Sequence, residues 1–171
     1  MRVRRGWEDF DGMTVKMIGG ALLILASVFY GRLKILEERR RFSLAEASVE
    51  FVRAVRDSIA HYAKPLSEIC ESVRIEPLEE CGFLPLCRTD GIRMAWEAKK
   101  LPIPDKMRAV MGNFAERIGG GYREDELALC AHTLERMEKL AEEVRKEREN
   151  REKLYRNIPP IAALSLVLLV L

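Results

Sequence analysis

The side chains able to do covalent or metal chemistry are few and poorly spaced. Cys70, Cys81, Cys87 and Cys130, with His61 and His132, make up the thiols and imidazoles of the chain. A structural zinc site takes cysteines or histidines in close pairs at recurring separations. Cys81-x5-Cys87 has the wrong separation, and Cys130-Ala-His132 is too tight for an ordinary pair. A cysteine nucleophile needs a positioned base and an acidic partner, and no spacing supplies them. Gly119-Gly120-Gly121 is the remaining motif that suggests chemistry, a loop cradling phosphate. No strand precedes it and no Lys-Ser/Thr follows, so it reads as a hinge between helices. The expectation is a protein that is not an enzyme, with no catalytic residues, no metal and no cofactor. Its thiols are then reduced residues of the core and loops.

The elements that hold these residues are more informative. Met17–Gly31 reads MIGGALLILASVFYG and Ile158–Leu171 reads IPPIAALSLVLLVL. At a rise of ~1.5 Å per residue each makes a helix of ~21–22 Å, short of the ~30 Å hydrocarbon layer. Lys16 can snorkel and bring in Met13 to Val15, and Leu33, Ile35 and Leu36 extend the other end. Tyr155 and Leu154 extend the second segment, with Arg156 reaching toward water. A cleaved signal peptide is disfavoured, because no A-x-A-like site follows and the chain runs into Arg32-Leu-Lys34. A buried C-terminal core helix is the competing reading of the second segment. Its apolarity on all sides, directly after a charged run, favours the membrane.

Orientation follows from basic residues. Arg32, Lys34, Arg39, Arg40 and Arg41 follow the first segment; Arg145, Lys146, Arg148, Arg151, Lys153 and Arg156 precede the second. Only Arg2, Arg4, Arg5 and Lys16 lie on the other side of the first segment. The positive-inside rule then puts the central region in the cytosol. The fold class expected is all-α, a membrane-anchored helical bundle with an N-terminal and a C-terminal transmembrane helix. Its divisions are a first span over 13–33, a bundle over 34–144, a charged helical stalk over 145–156 and a second span over 157–171. Residues 1–12 read as a dispensable or mis-assigned extension. Trp7-Glu8-Asp9 can be encoded by a purine-rich run resembling a ribosome-binding site just upstream of Met13, which would then be the start. A net charge of +2, with basic and acidic residues interleaved, makes no nucleic-acid face.

Inside the bundle the patterns are helical throughout. Ser43-Leu-Ala-Glu46 reads as a capping box opening a helix to about Ala63, with Leu44, Ala45, Val52, Val55, Ile59 and Tyr62 inward. Pro65 starts a shorter helix carrying Leu66, Ile69 and Val73. Residues 74–90, with Pro77, Gly82, Pro85 and Asp90-Gly91, read as an irregular connection with at most one turn through Leu78 to Cys81. Short helices follow over Ile92 to Lys99 and from Pro104, the latter with Met107, Val110, Met111, Phe114 and Ile118 inward. The last helix, from Tyr122, carries Leu127, Cys130, Leu134, Met137, Ala141 and Val144 at alternating spacings of three and four. Such a seam must be covered, by the same bundle or by a second copy in a homo-oligomer. Beyond Val144 the run has no apolar position until Leu154 and offers only pairs such as Glu149–Lys153, hence the stalk. Gly20, Ser27 and Gly31 share one face of the first span, where small residues admit a close helix; Ala162, Ala163 and Ser165 are one candidate partner.

These residues carry a resemblance. The chain resembles the stage III sporulation protein AB family of endospore-forming Firmicutes. The blocks that match are MIGGALLILAS before basic residues, FVRAVRDSIAHYAKPLSEI (Phe51 to Ile69), LEECGF (Leu78 to Phe83), LPIP (Leu101 to Pro104), IGGGYREDEL with Cys130, and KLYRNI with LVLLVL. They cover residues 13–171; Met1 to Gly12 have no counterpart, and Pro159-Pro160 departs from the small and glycine residues usual there. The resemblance implies a mother-cell membrane subunit of the channel, or feeding-tube, complex joining mother cell and forespore. Its soluble domain is similar to the cytoplasmic bundles of type II secretion F-type platform proteins. Its partners would be the other subunits of the stage III A complex, notably a cytosolic secretion-type ATPase, together with membrane lipid and no nucleic acid. Gly119, Gly120, Gly121, Tyr122 and Arg123 are then the candidate partner surface, at one end of the long helix. A membrane-tethered sensor or adaptor binding a soluble regulator is the alternative, and a membrane-associated thiol enzyme a distant third.

Overall fold

A computed structural model describes residues 5–62 and 65–170, with the side chains of all of these except 5–17, 149, 163 and 166–170. Six helices follow in order: α1 (Arg5–Tyr62), α2 (Leu66–Ser72), α3 (Glu76–Glu80), α4 (Phe83–Ala98), α5 (Asp105–Arg117) and α6 (Arg123–Val170). No strand occurs among the described residues. The chain divides into two compact units. One takes Met1–Glu38 with Arg148–Leu171, the other Arg39–Glu147. Both long helices contribute to both units.

α1 runs unbroken through Ser43, so the capping box does not open a helix. Nothing between Gly31 and Ser43 can stop one: the ten residues Arg32–Arg41 are Arg, Lys, Leu, Ile and Glu, mostly strong helix formers, and Lys34 pairs with Glu37 at 2.7 Å. A capping sequence marks a start only where the preceding residues decline to be helical.

In the unit Arg39–Glu147, α1 buries Leu44, Ala45, Phe51, Val52, Val55 and Ile59. Tyr62, expected inward, is 72 % exposed, because α1 ends there. The core is filled by Phe51, Phe83 and Phe114 with Ile69, Leu78, Leu84, Ile92, Met107 and Met111, all fully buried. Phe51 meets Phe83 edge-on at 5.6 Å between ring centres, and Phe83 meets Trp96 likewise at 6.4 Å. Such aromatic pairs add ~0.5–1.5 kcal/mol to the burial of their rings.

The stretch 74–90, expected to be irregular, contains α3 and the first half of α4. Pro77 and Pro85 sit in the first turns of their helices, where an N–H has no intrahelical partner to lose. Gly82 caps α4 at φ +78°. Gly91 interrupts α4 at φ +83°, ψ 167°, a conformation essentially reserved for glycine, so two helical segments meet at a corner there and the second runs from Ile92 to Ala98, close to the short helix expected from the sequence. Arg88 ties these pieces together. Its guanidinium donates to the carbonyls of Cys70 at 3.2 Å and Val73 at 3.1 Å, closing the C-terminus of α2, and pairs with Glu79 of α3. That hydrogen-bonded partner holds the Glu79 carboxyl below its ordinary range. The Leu101–Pro104 turn is clamped in the same way: Arg108 donates to the carbonyls of Leu101 at 3.3 Å and Ile103 at 3.0 Å, while both side chains are buried.

Candidate functional site

The first feature lies in the unit formed by Met1–Glu38 and Arg148–Leu171. Ile18, Leu22, Leu25, Phe29, Leu33 and Leu36 recur every three or four residues along α1, and each is 51–66 % exposed. On α6, Leu154, Ile158, Ile161 and Leu164 make a second such stripe. The segment of α1 is apolar and long enough to cross a bilayer: its 18-residue window has a mean hydropathy of 1.5 and is only 6 % buried. Water-exposed apolar patches of this extent mark a membrane or a partner. α1 is therefore a candidate membrane-spanning helix by length and composition.

The two apolar segments come close at Gly31. Gly31 is buried, and a Cβ built on it would lie 2.6 Å from the backbone oxygen of Tyr155 and 3.7 Å from Cγ of Pro159. Every residue except glycine would drive a side chain into backbone. Gly20 is half-buried, Ser27 turns its hydroxyl to the carbonyl of Ile24 at 2.7 Å, and Gly31 makes the close approach. Ala162 is exposed, Ser165 bonds Ile161 O at 3.0 Å, and the side chain of Ala163 lies outside those described. Tyr155 and Pro159 were not expected as the contact. The signal was their spacing: Pro159 stands four residues after Tyr155, where a proline leaves a carbonyl without its helical N–H.

The basic residues flanking this contact are mostly engaged. Lys34 pairs with Glu37, Arg148 with Glu152 at 2.9 Å, and Arg151 crosses to Glu38 of α1 at 3.6 Å. Glu38 is only 18 % exposed. Arg145 and Lys146 lie 3.9 and 3.7 Å from Glu142, while Arg32, Lys153 and Arg156 are exposed; Arg39 and Arg40 are exposed and Arg41 half-buried. The division between the two units falls inside the charged run 145–156, at Glu147 and Arg148, and Arg151 pairs with Glu38 of α1. The expected partner Glu149 of Lys153 has no described side chain.

In the other unit, Cys130, Leu134 and Met137 of the α6 seam are buried, and Leu127, Ala141 and Val144 pack half-buried against the same core. Among the turn residues, Gly119 stands at φ +92° and its N–H donates to Glu126 Oε1 at 3.0 Å. Tyr122 is 85 % exposed. Arg123 donates to the carbonyls of Ile59, at 3.1 Å, and Ala60, closing the last turn of α1. An open groove between α1 and α6, floored by Phe42, Val49 and Ala141 and rimmed by Glu46, Glu50, Glu138 and Glu142, was not anticipated. Arg53 bridges it to Glu138 at 2.6 Å.

The thiols are free, with Cys81 half-buried and the others buried. Burial pushes the Cys130 thiol up to about 11, and Cys87, hydrogen-bonded to Cys70 and buried, is pushed up as well. Neither is a thiolate near neutral pH. His61 and His132 are exposed, and His61 Nδ1 lies 3.0 Å from the carbonyl of Asp57.

Residues 91–171 match the family model of stage III sporulation protein AB. The match takes in the second half of α4, α5, the glycine turn and all of α6. Over those residues it agrees with the family resemblance read from the sequence. No curated protein and no solved structure matches the chain.

Proposed function

We propose that this chain is a membrane scaffold, a platform subunit of the sporulation channel complex between mother cell and forespore. The apolar segments of α1 and α6 both enter the mother-cell membrane. The unit Arg39–Glu147 hangs in the cytosol and couples a cytosolic secretion-type ATPase to the membrane ring components. The protein catalyses nothing itself and needs no cofactor; a protein of the sporulation family that serves as a scaffold fits this arrangement.

The observation that carries the reading is the pair of exposed apolar stripes joined at Gly31 and Tyr155. On both helices the basic residues begin within a turn of that contact, at Arg32 and Arg156. Both helices would thus leave the lipid at the same level, with positive charge on the same side. Each exposed Leu, Ile or Phe that enters hydrocarbon contributes ~1.5–3 kcal/mol, which offsets the modest cost of a short span.

Three measurements test it. Carbonate washing should leave the full-length chain in the membrane. Protease added to intact spheroplasts should spare Arg39–Glu147 and degrade it once the membrane is permeabilised. Loss of the neighbouring ATPase should disturb assembly of this chain into the complex. Extraction by carbonate, or digestion from outside, would sink the topology; membrane assembly indifferent to the ATPase would favour an adaptor for some other soluble regulator.

A further inference from the structure

We infer that Arg32, Lys153 and Arg156 form a site for the headgroup of an anionic phospholipid, on one flank of the helix pair where both apolar segments begin. Helix geometry brings the three together. Gly31 of α1 lies against Tyr155 of α6, and Glu38 of α1 pairs with Arg151 of α6, so the two helices run antiparallel here. One residue beyond the contact, each helix has turned by ~100°. Because the helices run in opposite directions, both turns face the same flank, which is where Arg32 and Arg156 stand. Lys153 precedes Arg156 by three residues and is its neighbour on that face of α6. All three side chains are exposed.

What points to lipid is their want of a counter-charge in the protein. Neighbouring cations of the same unit are matched by carboxylates: Lys34 by Glu37 at 2.7 Å, Arg148 by Glu152 at 2.9 Å and Arg151 by Glu38 at 3.6 Å. Among the described residues no carboxylate pairs with Arg32, Lys153 or Arg156. Yet Arg32 stands between Phe29 and Leu33, and Arg156 between Leu154 and Ile158, all four more than half exposed. A cation at the height of exposed apolar side chains is costly in a bilayer unless a counter-charge reaches it. The arginine stems can lie along acyl chains while the guanidiniums rise to the phosphates, which they take through two parallel N–H donors. A zwitterionic headgroup brings its own ammonium to three unmatched cations; a net negative one does not.

The inference deepens the membrane reading above and rests on it for the presence of lipid. The full chain is held in dodecyl maltoside micelles with equal amounts of phosphatidylglycerol and phosphatidylcholine of matched acyl chains. Lipids retained on it are counted by native mass spectrometry. Phosphatidylglycerol should be retained over phosphatidylcholine by at least about tenfold, since each cation beside an anionic headgroup contributes roughly fivefold. Arg32→Gln, Lys153→Gln and Arg156→Gln should each lower that ratio about fivefold, and the triple variant should bring it close to parity. These exposed positions leave the fold intact, which far-ultraviolet circular dichroism checks. Lys34→Gln, at a cation already paired within the protein, should change the ratio by less than about twofold. Equal retention of the two lipids, or a fall with Lys34→Gln as large as with Arg32→Gln, would overturn the site. Excess inorganic phosphate should leave the ratio unchanged; displacement of the lipid would make this a soluble-anion site and overturn the lipid assignment. Carbonate fractionation separates the two claims. A chain that extracts yet prefers phosphatidylglycerol loses the spans and keeps the headgroup site, and a resistant chain with no preference does the reverse.

Discussion

Met137→Ala asks whether the seam of α6 is covered by its own chain. Met137 is fully buried, one turn from Leu134, and shares a core with Phe51, Phe83 and Phe114. Truncation to alanine removes the whole thioether side chain from a site walled by helices, which collapse only partly into the gap. Such changes cost ~2–5 kcal/mol. For a unit the size of Arg39–Glu147, each kcal/mol lowers the melting temperature by at least ~4 °C, so the loss is ~8–20 °C. Val144→Ala, at a half-buried position, should cost ~1 kcal/mol or less, and Arg136→Ala, exposed on the same helix, should stay within ~0.5 kcal/mol. The assay is thermal unfolding of the full chain in detergent micelles, followed by far-ultraviolet circular dichroism at several protein concentrations. A seam covered within the chain gives the ordering Met137, Val144, Arg136 at midpoints independent of concentration. If Met137→Ala matches Arg136→Ala, or if midpoints climb with concentration, the cover comes from a second copy and the intramolecular argument fails.

Three other outcomes are expected. Arg123→Ala leaves the last carbonyls of α1 without their charged donor, should cost ~1–2 kcal/mol, and should speed amide exchange over residues 57–62; unchanged protection there would deny the clamp. Gly91→Ala meets nothing within 4 Å, so its expected loss of ~1–3 kcal/mol is backbone strain alone, and equal stability would mean that the corner in α4 is not formed in solution. Cys130 predicts an alkaline limit. Its folded thiol titrates at about 11 against an ordinary value of 9.0, so the folded state keeps a proton that the unfolded state has already released. The contribution is whole below about pH 9 and is lost as pH rises toward 11, by ~3 kcal/mol at the two-unit displacement. Urea midpoints measured from pH 8 to 11 should fall more steeply in the unaltered chain than in Cys130→Ala; parallel curves would remove the thiol from the account.

Elements whose signal is local were legible. The period of three and four in α5 marked Met107, Val110, Met111 and Phe114, and each is buried, because a single face toward a single core dictates that spacing. The same logic picked Cys130, Leu134 and Met137, and the exposed apolar stripe of α1 follows from composition. The misses came where punctuation residues have two meanings. Pro85 ends a helix in its interior and is harmless in a first turn, and only the position of Gly82 as a left-handed cap selects between them. Ser43-Leu-Ala-Glu46 can cap a helix or lie inside one, depending on its neighbours.

The all-helical class, the apolar ends and most of the inward faces were settled by the amino-acid order alone, since each depends on residues within two turns of one another. Tertiary structure decided which polar groups find partners at long range. It gave Arg123 to the end of α1 and Arg88 to the end of α2, and it laid the backbone oxygen of Tyr155 against Gly31. Those pairings join residues between 15 and 124 positions apart, and no periodicity along a chain encodes the distance between two helices that pack.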